Sequence, residues 1–269
     1  MPENHFTAGP ESETATEAGP LAEWARRQEL DLVRIPEIGD AERILGEVAV
    51  HVFDSPDLAK LFRDMSWKLN NDRQDARVRL NGDESSRVAF HAATERLARL
   101  GYLSRSSQNG DVFSATIPSP GKGMVDRRLS QFLSGGWLEA GALALAQRVL
   151  GSTEVTLHPN VEVNAGDRKA EFDLLALSGA SATPLIVECK SGGDVEQHFL
   201  RFAAISRMAG VSGPHAVLLV RAIDPQTAAD ASCLHDITVL TPEQFGSHLQ
   251  DLFGIAVNGM HLVSESVAS

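Results

Sequence analysis

The stretch Leu185-Ile186-Val187-Glu188-Cys189-Lys190, set against Glu171-Phe172-Asp173-Leu174-Leu175-Ala176-Leu177, decides how this chain is read. Both are apolar runs of strand length, and each carries charge where a buried strand should have none. The loop-like residues Ser178 to Thr183 separate them, so a symmetric antiparallel hairpin sets Asp173 directly opposite Glu188. Period-2 alternation then puts Lys190 on the same sheet face as Glu188. Directly paired positions hold their Cβ atoms about 4.5–5.5 Å apart. Two carboxylates that close repel unless one takes up a proton or a cation sits between them. The pattern asks for a divalent metal.

Working outward, the spacing predicts strands at 154–164, 169–177 and 184–190, and upstream of them a helix Trp137–Leu150 with one acid, Glu139, near its start. Downstream, a helix from Asp194 to Met208 buries Val195, Phe199, Phe202 and Ala203. A strand at His215–Val220, a short helix near 225–232, a strand at Ile237–Leu240 and a terminal helix opened by Thr241-Pro242-Glu243 and ending near Phe253 complete the series. The order is αβββαβ followed by αβα. Helices enclosing a mixed sheet make an α/β sandwich, which we assign to residues 125–269.

Residues 1–19, rich in Glu, Thr, Ala, Gly and Pro, bury too little to offset ordering entropy and read as a disordered tail. Residues 20–119 read as a mainly helical, winged-helix-like domain. Leu21-Ala22-Glu23-Trp24-Ala25 opens one helix, and Asp54-Ser55-Pro56-Asp57 caps another that runs through Leu61 and Phe62. A short strand is expected at Val48–Phe53. Ser85 or Ser86 caps a helix carrying Phe90, Ala93, Leu97 and Leu100 and ending near Gly101. Asn109-Gly110 then turns a hairpin between 102–105 and 112–116. Pro118-Ser119-Pro120-Gly121-Lys122-Gly123 reads as a linker.

The formal charge of −12 is unfavourable for binding polyanions, but charge is unevenly spread. Residues 1–20 hold four acids and no Lys or Arg, whereas residues 60–105 hold ten Lys or Arg against six Asp or Glu. Arg87, Arg96 and Arg99 on the predicted helix and Arg105 in the hairpin are candidate phosphate contacts. Two cysteines, Cys189 and Cys233, suit a reducing compartment, and Cys189 reads as a packing residue. With no apolar run of about 20 residues and no basic-then-apolar start, the expected location is cytoplasmic, without membrane contact. No His-x-x-x-His, Cys-x-x-Cys, phosphate-binding loop or Gly-x-Ser-x-Gly elbow is present, which removes the usual signatures of zinc sites, nucleotide hydrolases and serine hydrolases.

Asp173 and Glu188 offer hard oxygen ligands suited to Mg²⁺ or Mn²⁺, with the Cys189 backbone carbonyl between motif residues. Lys190 can hold an attacking water or neutralise charge in a transition state. Glu139 adds a third acid if its helix packs beside the sheet. These residues match the PD-(D/E)XK nuclease pattern. The chain resembles in particular the nuclease domain of the CRISPR ancillary endonucleases that carry a CARF sensor. The resemblance lies in Gly135-Gly136-Trp137-Leu138-Glu139, Glu171-Phe172-Asp173 and Ile186-Val187-Glu188-Cys189-Lys190-Ser191-Gly192, and spans about Ser130 to Phe253.

The resemblance implies a restriction-endonuclease-like core and a metal-dependent endonuclease, usually a homodimer, acting on DNA, RNA or both in antiviral defence or nucleic-acid processing. It also implies that Gln197 and Arg201, on the helix after the motif, face the cleft. Relatives place a Rossmann-like sensor before the nuclease. Residues 1–119 show at most one β-α unit, so activation by a cyclic oligonucleotide is unsupported. The competing expectation is a non-catalytic DNA-binding regulator, with the winged-helix-like segment on DNA and the nuclease-like domain serving dimerisation.

Overall fold

Six strands form one mixed sheet, and its two long members, β5 (Val155–Ala165) and β6 (Arg168–Ser178), bend in the middle. The structure is a computed structural model that describes residues 19–71, 73–118, 127–179, 183–192 and 194–255. The expected tail, apart from Gly19, most of the expected linker and residues 180–182 of the hairpin loop lie outside that set. The remaining strands are β1 (Asp31–Arg34), β7 (Leu185–Lys190), β8 (Ala216–Val220) and β9 (Thr238–Leu240), in the order β1-β5-β6-β7-β8-β9. Pairing is antiparallel from β1 to β7 and parallel from β7 to β9.

The parallel steps need crossovers, supplied by the helices Val195–Met208 and Pro225–His235. The register of β6 on β7, Leu174↔Val187, Leu175↔Ile186 and Ala176↔Leu185, is the one the symmetric hairpin predicts. Continued by one step, it sets Asp173 opposite Glu188.

Helices cover both sides of the sheet, which explains the continuous apolar runs of β7 and β8. Leu174, Ala176, Leu185, Val187, Cys189, Val217 and Leu219 join a core with the helices Trp137–Leu150 and Pro242–Leu252. Leu175, Leu177, Ile186, Ala216, Leu218 and Val220 join a second core with the helices Pro20–Arg27, Val195–Met208 and Pro225–His235. In chain order the helices are α1 (Pro20–Arg27), α2 (Asp40–Asp54), α3 (Pro56–Asn70), α4 (Glu84–Arg99), α5 (Arg127–Gln131), α6 (Trp137–Leu150), α7 (Val195–Met208), α8 (Pro225–His235) and α9 (Pro242–Leu252). Among the described residues no helix is long and apolar enough to cross a membrane.

The N-terminal region is tied to the sheet. Trp24 of α1 packs edge-on against Phe172 of β6, and β1 is the sheet's edge strand beside β5. Residues 20–34, grouped by the sequence reading with the helical region, therefore share the core of the sheet. The strand expected at Val48–Phe53 is instead the second half of α2. Leu45, Val48, Ala49 and Val52 recur at i, i+3, i+4 and i+7 and are all buried, so helical periodicity overrode the β-branched composition. The next helix, α3, starts with Pro56 at its first position as expected.

The cap of α4 is neither Ser85 nor Ser86 but Asp83, whose carboxylate accepts the Ser86 N–H at 2.9 Å. After α4, the strands Ser104–Asn109 (β3) and Val112–Thr116 (β4) make the expected hairpin. The unanticipated strand Asp75–Arg79 (β2) adds to the other edge of β4.

Candidate functional site

Pairing between β6 and β7 stops at Leu174↔Val187, although both strands continue. Beyond that point the strands separate into a fork, and Asp173 sits at its root. The Cys189 N–H, which has no main-chain partner on β6 there, donates to Asp173 Oδ2 at 2.6 Å. A side chain has taken the place of a ladder carbonyl, which fixes the carboxylate against β7.

The bend in β5 and β6 falls at the same level. The register Leu157↔Ala176, Pro159↔Leu174 and Val161↔Phe172 runs through without an inserted residue, yet the pair that would join Asn160 to Asp173 is missing. Asn160 has φ +49°, the left-handed region that Asn tolerates better than most residues. Leu174 and Ala176 belong to the core under α6, while Phe172 and Ala170, at the same alternation, belong to the core under α1. The strands change sides at Asn160 and Asp173, a corner of the kind that bends produce in sheets. The signal for it was readable in His158-Pro159-Asn160, a proline followed by an αL-tolerant residue inside a strand, but it was missed.

Glu139 reaches the fork from α6. The π-helical turn Phe132–Gly136 precedes that helix, and Gly135 within it has φ 156° and ψ −27°. A Cβ on Gly135 would stand 2.8 Å from Ser191 Oγ, directly after Lys190. The absent side chain lets the start of α6 close on the end of β7. Glu139, Asp173 and Asn160 then line one cleft of about 290 Å³ together with residues of α2, α6 and the segment after β1. Glu188 and Lys190 do not line it; they meet the group from β7.

The charges interact strongly. Burial pushes the Asp173 carboxyl well above its usual range, and the charges of Glu188 and Glu139 push it further, against the Cys189 hydrogen bond and Lys190. Burial likewise raises Glu139; Lys190 opposes the rise, while Glu171 and Glu188 add to it. Lys190 Nζ lies 2.5 Å from Glu188 Oε1, with side-chain exposures of 26 % and 12 %. Burial pulls the Lys190 ammonium down, but the Glu188 charge and hydrogen bond and the Asp173 charge outweigh it, so the net shift is upward. Three acids share one lysine, and the sign of the deficit favours an added cation.

The donors are all oxygen and therefore of the type hard divalent cations take. Among the described residues no three His, Cys, Asp or Glu side chains converge closely enough to enclose a metal by themselves. Cys189 is buried, with its thiol raised well above its ordinary pKa by burial, which removes it as a nucleophile and agrees with a packing role.

The other expected contacts lie on α7, α4 and β3. Gln197 and Arg201 are exposed on α7. Arg87 bonds the Gly82 carbonyl and Asp111, Arg96 bonds His51 and Glu47, Arg99 stands 3.9 Å from Glu95, and Arg105 is exposed in β3. None of these six lines the cleft.

No family model and no curated protein matches the chain. Solved structures do. Protein VC1899 from Vibrio cholerae superposes with a TM-score of 0.53 at 14 % identity, covering 86 % of this chain and 60 % of its own. Can2 from Sulfobacillus thermosulfidooxidans, solved in complex with cyclic tetra-adenylate, gives 0.55 at 11 % identity, covering 85 % of this chain and 59 % of its own. This chain thus spans about three-fifths of the length of each. Each match covers more of this chain than Ser130 to Phe253, the extent of the sequence resemblance, and so reaches into the helical region. What these comparisons establish is a shared fold: the chain is built like VC1899 and Can2 over most of its length.

Proposed function

We propose that this protein is a metal-dependent endonuclease that hydrolyses phosphodiester bonds of DNA, RNA or both, in antiviral defence or nucleic-acid processing. The observation that carries the reading is the fork: Glu139, Asp173 and Glu188 gathered around Lys190, with burial and mutual repulsion holding Asp173 well above its ordinary pKa. Perturbed groups clustered beside a cleft are the usual mark of a working site. The fold likeness to Can2 agrees with a role in nucleic-acid chemistry.

In this reading Asp173, Glu188 and the Cys189 carbonyl would hold Mg²⁺ or Mn²⁺, and Glu139 would complete the site from α6. A bound ion of this kind polarises a phosphoryl oxygen and acidifies a water. Lys190, fixed by Glu188, presents a permanent positive charge to the anion that develops as the phosphodiester is attacked. Asp173 keeps its orientation through the Cys189 N–H. The cleft beside Glu139 and Asp173 admits the substrate. Activation by a cyclic oligonucleotide is not part of the proposal, because β1 and β2, the strands before β3 among the described residues, lie in different sheets and form no β-α-β unit. A DNA-binding regulator built on α4 is less well supported, since Arg87, Arg96 and Arg99 already face carboxylates of this chain.

With Mn²⁺, the purified protein is expected to cut single-stranded or duplex DNA or RNA. Asp173→Ala and Lys190→Ala should each lower cleavage about 100-fold or more while the fold, followed by circular dichroism, is retained. Absence of cleavage of all four substrates with either metal, or variants that cut like the parent, overturns the proposal.

A further inference from the structure

A second uncompensated group of charges lies outside the fork, on α3 and at the end of β8. Trp67 of α3 is 50 % exposed, whereas the other two tryptophans, Trp24 and Trp137, are 2 % and 5 % exposed. The Arg73 guanidinium lies 5.2 Å from the Trp67 ring centroid and the Lys68 ammonium 5.7 Å from it. An exposed indole with cations over its ring contributes little to a core, and a nucleobase that displaces them stacks on the same face while the freed cations meet its phosphates. Arg63 stands one helical turn before Trp67 on the same face of α3 and is exposed.

Arg221 directly follows β8. Its N–H donates to the Lys190 carbonyl at 3.2 Å, so its backbone is bonded to the catalytic candidate itself. Its guanidinium lies 5.6 Å from the ring centroid of Trp137, two residues before Glu139. Burial lowers the Arg221 pKa and the charge of Arg63 lowers it further, with Glu243 opposing, so the two guanidiniums are near enough to repel. Among the described residues no carboxylate forms an ion pair with Arg63, Arg73 or Arg221, whereas Lys68 is paired with Asp75 at 3.2 Å. Two planar, permanently charged forks that repel each other, neither in an ion pair among the described residues, match what a phosphodiester backbone presents. The path to the fork is short: α3 packs on the π-helical turn before α6, with Phe62 and Phe132 ring centroids 5.3 Å apart.

We propose that Trp67, Arg63 and Arg221 form a binding track for a nucleic-acid strand, which stacks a base on Trp67 and passes its phosphates over Arg63 and Arg221 to the carboxylates. The destination of the track rests on the nuclease reading; the binding does not. The track uses α3 and leaves the arginines of α4 to their intramolecular partners.

The test uses the full chain in EDTA with a fluorescein-labelled oligonucleotide of about 20 nucleotides, single-stranded and as a duplex, read by anisotropy and by tryptophan quenching. Stacking on the one exposed indole predicts quenching by the bound strand. Trp67→Ala is expected to abolish the quenching and weaken binding about tenfold, and Trp67→Phe to restore most of the affinity. Arg63→Ala and Arg221→Lys should each weaken binding, and Arg63→Ala should reduce the slope of log affinity against log salt by about 0.7 to 0.9. Binding and quenching that ignore Trp67→Ala, or affinity and salt slope that ignore Arg63→Ala, overturn the track. If Mn²⁺-dependent cleavage persists in that case, the nuclease reading stands alone. Binding that depends on Trp67 and Arg63 with no cleavage under any metal sustains the track and removes the nuclease reading.

Discussion

The fork of β6 and β7 and the surface of α4 are both rich in charge, and they treat it in opposite ways. On α4 each of three arginines has found an acceptor: Arg87 the Gly82 carbonyl and Asp111, Arg96 His51 and Glu47, Arg99 Glu95. In the fork, Glu139, Asp173 and Glu188 share Lys190, and burial makes the imbalance costlier. A count of Lys and Arg along the chain picks out residues 60–105, α4 among them. Geometry picks out the fork, because what separates a site from a solvated surface is charge left uncompensated where water is scarce.

The largest effect that follows, after the loss of cleavage expected for Asp173→Ala and Lys190→Ala, is on stability. In Asp173→Asn the amide oxygen still accepts the Cys189 N–H, while the charge that repels Glu188 and Glu139 is gone. The metal-free variant should be more stable at neutral pH by about 1–2 kcal/mol, within the range typical of relieving strain at functional sites, and should not cleave. A carboxyl whose folded pKa is raised binds more protons folded than unfolded. The stability of the metal-free parent should therefore fall as pH rises from the ordinary carboxyl range toward the raised value, and Asp173→Asn should flatten that fall. Thermal denaturation in EDTA across that window measures both. A variant less stable than the parent would return Asp173 to the class of well-compensated charges seen on α4.

Gly135 tests whether the fork depends on the approach of α6. Gly135→Ala, at φ 156°, puts a methyl carbon 2.8 Å from Ser191 Oγ, so Ser191 must turn away or α6 and the end of β7 must part. Because misplacement of about 1 Å can cost up to about 100-fold in rate, cleavage should fall about tenfold or more. Adding Ser191→Ala removes the nearest atom and leaves Ser191 Cβ, at 3.8 Å, in ordinary contact, so the double variant should recover part of the activity. A single variant that cuts normally would separate Glu139 from the chemistry.

Much of this was legible without coordinates, for reasons that differ by element. The β6–β7 register follows from the symmetry of the loop, and α6, α7 and α9 follow from apolar periodicity and the signals Asp194 and Thr241 at helix starts. The fork itself was not legible, since alternation assumes strands that stay flat and paired, and the pairing ends where Asp173 enters. Asn160 was passed over because a bend leaves no gap in the apolar pattern. Val48–Phe53 was misread because Val48, Val50, Val52 and Phe53 outweighed the helical spacing that begins earlier, at Leu45. β2 escaped because three of its five residues are charged and only Ala76 and Val78 turn inward. Arg221 and Arg63 lie far apart in sequence, and only the fold makes them neighbours.

The smallest expected effects come from α4 and sharpen the contrast. Arg99→Ala removes an exposed contact of 3.9 Å with Glu95 and should leave both Tm and cleavage unchanged. Arg96→Ala should cost about 1 kcal/mol, because it removes a 2.9 Å hydrogen bond to His51 as well as the Glu47 pair, and it too should leave cleavage intact. It should also alter the acid limb of the stability curve. Burial lowers the His51 pKa, and Arg96 and Arg148 lower it further, so below the ordinary histidine range the unfolded chain takes up a proton that the folded chain resists. Stability is lost as pH falls through that window. Without the Arg96 charge the folded His51 accepts its proton more readily, and the acid-side loss should shrink relative to the parent. Arg96 thus strengthens the fold more near neutrality than at mildly acidic pH. A cleavage defect in Arg96→Ala, at unchanged Tm, would show that α4 also serves the substrate, and the division between the two charged regions would fail.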